Sequence, residues 1–284
     1  MGSRKHLRPA RTFCIRSLAV LALLTLTLGY AQAGPGPSPK PGTGAESNLT
    51  IEQEIQLGKE VAPAVRRMNG GTWENPKALE RLRAMGTRLV AVSDRHEVAR
   101  LRNNYSFELL GSKNVNAMAI PGGTTFVTRG LIELGLTEDE MACVLGHEIA
   151  HAARRHGAIN METDTSMKAR IARHHKGRMM RLLGRVYTLV YMRKRLDPGL
   201  ELEADYYGMV YASRAGYNPR GMVSLFERFE KMEKSGKNKL TQKIMVMLFD
   251  NHPPTPERIR KAREIATKLE RKEAIRTVPV PVYQ

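Results

Sequence analysis

The residues whose types and spacing most clearly suit a chemical reaction are His147, Glu148 and His151. They form the pattern His-Glu-x-x-His. Two histidines four positions apart lie on one face of a helix, so both imidazoles can reach a single ion. The carboxylate of Glu148 projects to the side of that face, where it can accept a proton from water without binding the ion. The pattern predicts a hydrolytic zinc site. The alternative is a pair of histidines that only pack or titrate.

A hydrolytic zinc site needs a third protein ligand and one open position. The segment 201–205, with the sequence ELEAD, supplies carboxylates on a second predicted helix. At about 100° per residue, Asp205 returns to within about 40° of Glu201, whereas Glu203 points about 200° away. We therefore expect Glu201 to bind the metal, Asp205 to accept a hydrogen bond from a ligand histidine, and Glu203 to lie outside the site. The alternative is a solvated helix start.

Local features predict the helix that carries the motif. Thr137 and Glu140 have the spacing of a capping box, and Gly157 follows a basic stretch suited to a last turn. We expect one helix that begins after Thr137 and continues through this basic stretch up to Gly157. Cys143 lies one turn before His147, and we interpret it as a buried apolar thiol, with a ligand role as the alternative.

Residues 1–33 form a predicted secretory signal peptide. Their first part is basic, Leu18–Leu28 is apolar, and Ala31-Gln32-Ala33 fits a cleavage site. An uncleaved membrane anchor is the alternative, although the apolar run is shorter than the roughly 20 residues of a spanning helix. Residues 34–48 form a predicted Pro/Gly-rich linker. The sequence therefore predicts export to the periplasm or cell envelope.

The chain is strongly basic, with a formal net charge of +18. Such a charge suits an anionic surface, and export favours lipid over nucleic acid, so we expect no nucleic-acid partner. The basic segment 161–195 has a helical pattern. We consider three interpretations of it: peripheral contact with an anionic membrane surface, a lid over a cleft, and a solvated charged face.

Residue patterns over 49–273 predict an α+β domain that is mostly helical. Helical periodicity marks the ranges 49–69, 78–92, 200–215, 220–235 and 255–272. Before the motif helix, alternating segments predict a small β-hairpin or sheet, namely 105–110, 115–120 and 124–128, with a turn at 121–123. Its extended edge can hold a substrate backbone as an added strand or merely cap the core. Residues 274–284 are predicted to be a loose tail.

Four segments carry a family resemblance in this order: NVNAMAIPGGTTFVTRGLI, EDEMACVLGHEIAHAARRHG, ELEADYYGMVYASRAGYNP and HPPTPERI. Over about residues 52–268 the chain resembles the exported HtpX-like and BepA-like relatives of the CaaX prenyl protease family of zinc metallopeptidases. The resemblance implies a zincin-type (gluzincin) endopeptidase domain that is mostly helical with a small sheet. It also implies that the domain clears unfolded or misfolded envelope proteins. The alternative function is a non-catalytic envelope chaperone or assembly factor that retains the zinc fold.

The resemblance also implies a role for each residue of the metal site. It matches His147, His151 and Glu201 with the ligands of one Zn²⁺ per chain. It matches Glu148 with the general base and Asp205 with the carboxylate behind a ligand. Only one of the two glutamates in 201–205 is a ligand in this comparison, the first.

Outside the metal site, the resemblance matches four further residues. Asn116 and Ala117 correspond to the strand on the substrate side, and His252 and Arg258 to residues near the cleft. We expect His252 or Arg258 to donate a hydrogen bond to the oxyanion of the reaction intermediate. For His252 the alternatives are an inhibitory fourth zinc ligand and a structural place in the core.

Overall fold

The computed structural model describes residues 49–93, 104–162, 196–234 and 255–271. The predicted signal peptide, the linker, residues 163–195 of the basic segment, His252 and the predicted tail lie outside the described residues. The helices are α1 (Ile51–Met68), α2 (Pro76–Ala91), α3 (Arg129–Glu133), α4 (Glu138–Ala153), α5 (His156–Glu162), α6 (Pro198–Arg214), α7 (Arg220–Lys234) and α8 (Pro256–Glu270). The strands are β1 (Ser106–Leu110), β2 (Ala117–Ala119) and β3 (Thr124–Thr128). The predicted fold class, mostly helical with a small sheet, is confirmed.

The sheet has the strand order β1-β3-β2, with β1 parallel and β2 antiparallel to β3. The predicted turn joins β2 to β3, and its residues Gly122 and Gly123 have φ values of 87° and 95°. Such values favour glycine, which has no Cβ to clash with the backbone. Helix α1 packs its apolar face against this sheet, in one cluster that includes Leu57, Val61 and Phe126.

Strand β2 forms an edge of the sheet beside the motif helix. Thr128 N–H donates to Asn116 O, and Ile120 N–H donates to Thr124 O. Backbone groups alternate in direction along a strand, so Met118, which pairs with Phe126, also faces β3, whereas the backbone groups of Ala117 and Ala119 point away from it. This edge therefore faces α4 and not a fourth strand among the described residues.

Helices α4 and α6 are in backbone contact. A Cβ built on Gly146 of α4 would lie 2.5 Å from Gly208 O, and one built on Gly208 of α6 would lie 2.6 Å from His147 N. Both distances are too short for any side chain, so the two glycines set the separation of the helices. Their contact brings the turn that carries His147 next to the turn that carries Asp205.

Helix α4 ends earlier than the sequence predicts. Its last residue is Ala153, Arg155 has a φ of 61°, and a separate short helix begins at His156. The expectation of one helix to Gly157 was wrong because contacts outside the helix hold the break. Arg155 Nε donates to Glu54 Oε1 over 2.7 Å and its Nη2 donates to Leu49 O, which ties the break to α1.

Helices α7 and α8 cover the other side of α4 and α6. The predicted capping box at the start of α4 is confirmed, with Glu140 reaching back to Thr137 N–H over 2.9 Å. The same buried carboxylate also accepts hydrogen bonds from Ser224 Oγ and Arg228 Nη2 of α7, each over 3.1 Å. None of the described helices is long and apolar enough to cross a membrane.

We expect Gly208→Ala to destabilise the fold more than a glycine substitution in open space. The clash with α4 should cost about 3 kcal/mol, which exceeds the roughly 1 kcal/mol that alanine gains in a helix. The matched control is Gly216→Ala, where a Cβ meets nothing within 4 Å but φ is +89°, so the cost should be about 1 kcal/mol. Urea unfolding measures both values. Equal losses would contradict a backbone contact at Gly208.

Candidate metal centre

The three predicted ligands lie together, two on α4 and one on α6. His147 Nε2 is 2.9 Å from His151 Nε2, and the two nitrogens are 3.5 Å and 3.6 Å from the oxygens of Glu201. All three side chains are buried. Their donor atoms lie within 4.8 Å of one another, which is close enough for one metal ion to touch all three.

The donor set fits a divalent transition metal. Around a tetrahedral ion with ligand bonds of 2.0 to 2.1 Å, neighbouring donors are about 3.3 Å apart. The observed separations of 2.9 to 3.6 Å bracket this value. Two imidazoles and one carboxylate also leave a fourth position for water or substrate, which is the arrangement of hydrolytic sites.

Asp205 lies behind His147, as the sequence predicts. Its Oδ1 accepts a hydrogen bond from His147 Nδ1 over 3.0 Å, so the lone pair of Nε2 faces the metal position. Burial lowers the pKa of His147, but the hydrogen bonds and charges of Asp205 and Glu201 outweigh it and raise the pKa to about 9. A metal therefore competes with a proton for this imidazole.

Arg258 contacts both carboxylates of the site. Its Nε and Nη2 each lie 2.7 Å from an oxygen of Asp205, and its Nη1 lies 3.1 Å from Glu201 Oε2. Burial alone would raise the pKa of Asp205, but the charge and hydrogen bonds of Arg258 lower it below its usual value. Arg258 is itself buried, and its guanidinium binds the carboxylates of Asp205 and Glu201. Donation to an oxyanion stays a prediction for this residue, as it does for His252.

Behind His151 lies a second set of residues that the sequence did not reveal. His151 Nδ1 is 2.8 Å from His156 Nδ1, and His156 Nε2 faces Glu203 Oε2 at 3.6 Å. Arg154 forms an ion pair with Glu203. Glu203 does not face the metal position, as expected, but it is buried behind the site and not outside it. Helical periodicity could not predict the contact of His156 with His151, because the break at Arg155 determines the position of His156.

Glu148 lies between the metal position and the edge of the sheet. It is buried, and its Oε2 accepts a hydrogen bond from Ala119 N–H of β2 over 2.7 Å. Asn116 and Ala117, also on this edge, line the same cavity as His147 and Glu148. The structure therefore brings the predicted substrate strand beside the predicted base.

The cavity next to Glu148 is apolar and has a volume of about 60 Å³. This is space for about four water-sized groups. Its apolar wall consists of Leu131, Val144, Met222, Leu225, Phe226 and Phe229, from α3, α4 and α7. Cys143, by contrast, is fully buried and does not belong to the metal group, and burial raises the pKa of its thiol.

We expect Arg258→Gln to destabilise the metal-depleted chain by about 3 to 5 kcal/mol, because the change leaves buried carboxylates without their cation. The control is Arg263→Gln, which removes an exposed ion pair with Glu227 and should cost at most about 1 kcal/mol. Urea unfolding monitored by circular dichroism measures both. A loss as small as that of the control would show that Arg258 does not balance these charges.

Comparisons with known proteins indicate a metallopeptidase, in agreement with the residues of this site. A model of peptidase family M48 matches residues 76–266. The chain is 29% identical over 184 residues to the mitochondrial metalloendopeptidase OMA1 of Schizosaccharomyces pombe, which covers 62% of this chain and 50% of that protein. It is 26% identical over 242 residues to the beta-barrel assembly-enhancing protease of Escherichia coli, covering 79% of this chain and 46% of that protein.

A third relative is the metalloprotease LoiP of Escherichia coli, which is 27% identical over 164 residues, covering 56% of this chain and 62% of that protein. The chain thus spans about half the length of the curated relatives it matches. The family model covers most of the described domain and contains all three candidate ligands. The resemblance seen in the four sequence segments is confirmed: the chain belongs to peptidase family M48.

Proposed function

We propose that this chain is a zinc-dependent endopeptidase, with one Zn²⁺ held by His147, His151 and Glu201. The observation that carries the proposal is the buried group of two imidazoles and one carboxylate with Glu148 beside it. Zinc suits this donor set and leaves a coordination position open. When bound, it supplies polarisation of the scissile carbonyl and a lowered pKa for water.

Glu148 is the general base in this proposal. One of its oxygens is held by Ala119 N–H, which leaves the other to take the proton of the attacking water. The same carboxylate then passes the proton to the amine of the leaving peptide. Substrate backbone pairs, as an added strand, with the edge of β2 at Ala117, whose backbone groups point away from β3, and Asn116 lies beside it in the lining of the cavity.

We assign Arg258 to holding Asp205 and Glu201 in place, since its nitrogens already contact both. His252 keeps the three roles considered from the sequence. Among them, donation to the oxyanion is the one that the proposed mechanism still needs from a side chain.

The apolar cavity beside Glu148 suggests which peptide bonds are cut. A substrate strand on β2 places a side chain near this cavity, and an aliphatic or aromatic side chain suits its wall. Folded proteins bury such side chains, whereas unfolded chains expose them. We therefore propose unfolded or misfolded proteins as substrates.

We further propose that the chain acts in the periplasm or cell envelope. The predicted signal peptide supports export, and similarity to a protease named for enhancing beta-barrel assembly supports an envelope role. The limits 1–33, 34–48, 49–273 and 274–284 remain our proposed domain organisation. Contact of the basic segment 161–195 with an anionic membrane surface is part of this proposal.

We expect Glu148→Gln to retain about one zinc per chain and to lower the cleavage of casein by about 100- to 10,000-fold, because it removes the base and spares the ligands. The matched control, Glu227→Gln on the surface, should cleave normally. Metal analysis and peptide release measure the two effects. Activity within tenfold of wild type would refute the assigned base. Wild-type protein that prevents aggregation without cutting would favour the chaperone alternative.

We expect Val144→Phe to narrow the apolar cavity and change cleavage preference. Wild type should cut a peptide with leucine beside the scissile bond about 10- to 100-fold faster than the matched alanine peptide. The variant should lose most of this preference, because the added ring occupies the space of the leucine. Val92→Phe, a partly buried valine away from the cavity, is the control. An unchanged preference in Val144→Phe would remove the cavity from substrate binding.

A further inference from the structure

The two histidine ligands are supported in different ways. His147 contacts a carboxylate directly, and that carboxylate contacts Arg258. His151 instead contacts a second imidazole, that of His156, over 2.8 Å between their Nδ1 atoms. Both imidazoles of this pair are buried, and their ring planes are nearly perpendicular. The proposed metal position lies beside the two Nε2 atoms and not between these two Nδ1 atoms, so their contact requires that one nitrogen donates a proton and the other accepts it.

Glu203 decides which imidazole donates. Its carboxylate faces His156 Nε2 at 3.6 Å, which is longer than a hydrogen bond, so its influence is electrostatic. Arg154 forms an ion pair with Glu203 and also lies over the ring of Tyr207, 4.5 Å from its centroid. The negative charge of Glu203 favours the proton of His156 on Nε2. His156 Nδ1 is then an acceptor, and His151 must carry its proton on Nδ1.

The consequence reaches the metal position. With the proton on Nδ1, the lone pair of His151 Nε2 points toward His147 Nε2 and Glu201, where the proposed ion lies. The opposite arrangement would put a proton on Nε2 and prevent it from binding a metal. We propose that His156 and Glu203 are positioning residues that hold His151 in its metal-binding tautomer. This inference rests on the proposed metal site.

The backbone conformation at the break after α4 allows His156 to contact His151. Arg155 adopts a φ of 61°, and the chain turns so that His156 comes back against His151. Arg154 and Arg155, the two residues of the turn, pair with Glu203 and Glu54 respectively. A continuous helix would carry residue 156 to another face, since five positions correspond to about 500° of rotation.

The test compares two substitutions of similar size. His156→Leu removes the acceptor, and we expect it to weaken zinc binding by about 10- to 100-fold. His156→Asn keeps an oxygen near the position of Nδ1 and should bind zinc within about threefold of wild type. Competition with a chromophoric chelator measures the affinity for Zn²⁺. The visible spectrum of the Co²⁺-loaded chain should change in His156→Leu and be restored in His156→Asn.

Glu203→Gln tests the electrostatic step separately. It keeps an oxygen for Arg154 but removes the negative charge that faces His156 Nε2, so the proton of His156 would no longer be favoured on Nε2. We expect zinc affinity to fall about tenfold, less than in Glu201→Gln, which loses a ligand. Glu227→Gln on the surface is the control. Urea unfolding of each metal-depleted variant separates these effects from loss of the fold.

The outcomes are distinct. Wild-type affinity in both His156→Leu and Glu203→Gln would overturn the inference while leaving the metal site intact. Equal losses of zinc affinity in His156→Leu and His156→Asn, matched by equal losses of stability, would reduce His156 to a packing residue. Wild-type protein that binds no zinc would refute the proposed metal site itself. If His156→Leu fails to fold, the decision rests on His156→Asn and Glu203→Gln.

Discussion

The contact between Gly146 and Gly208 is the constraint on which the rest of the structure depends. Two helices whose backbones touch have little freedom to slide or rotate against each other. One of them carries both imidazoles and the proposed base, and the other carries Glu201, Glu203 and Asp205. A small shift between the helices would therefore disturb every contact of the site that joins one helix to the other.

Charge balance is the second constraint. In the described part of the cluster, four buried carboxylates, those of Glu148, Glu201, Glu203 and Asp205, face two guanidinium groups. Formal negative charge therefore exceeds formal positive charge by two. Uncompensated charge is costly in a buried environment. Protonation of His147, whose pKa is raised to about 9, offsets part of this excess, and a divalent cation at the proposed position would take the place of that proton.

Helical periodicity explains why much of this site was predictable. His147 and His151 share one face, Glu201 and Asp205 share another, and Thr137 and Glu140 mark the helix start by local chemistry alone. The position of His156, and therefore its contact with Glu203 of α6, depends on where α4 breaks. That break is held by Arg155 through its contacts with α1, about a hundred residues earlier in the chain.

The pairing of strands within the sheet could also be predicted only where it depends on local residues. The turn at 121–123 specifies the antiparallel pair of β2 and β3, because it is local. Strands β1 and β3 are neighbours in the sheet, but β2 lies between them in the chain. No residue pattern predicts their parallel pairing. The same is true of the hydrogen bond from Ala119 to Glu148, which needs the strand and the helix to be docked first.

Glu140 connects the two halves of the site. Its carboxylate closes the capping box of α4 and accepts hydrogen bonds from Ser224 and Arg228 of α7. Helix α7 supplies most of the apolar wall of the cavity, including Phe226. The beginning of the ligand helix and the docking of the cavity wall therefore share one buried group. As a result, the metal site and the cavity should form as a single cooperative unit, and neither should open while the other stays folded.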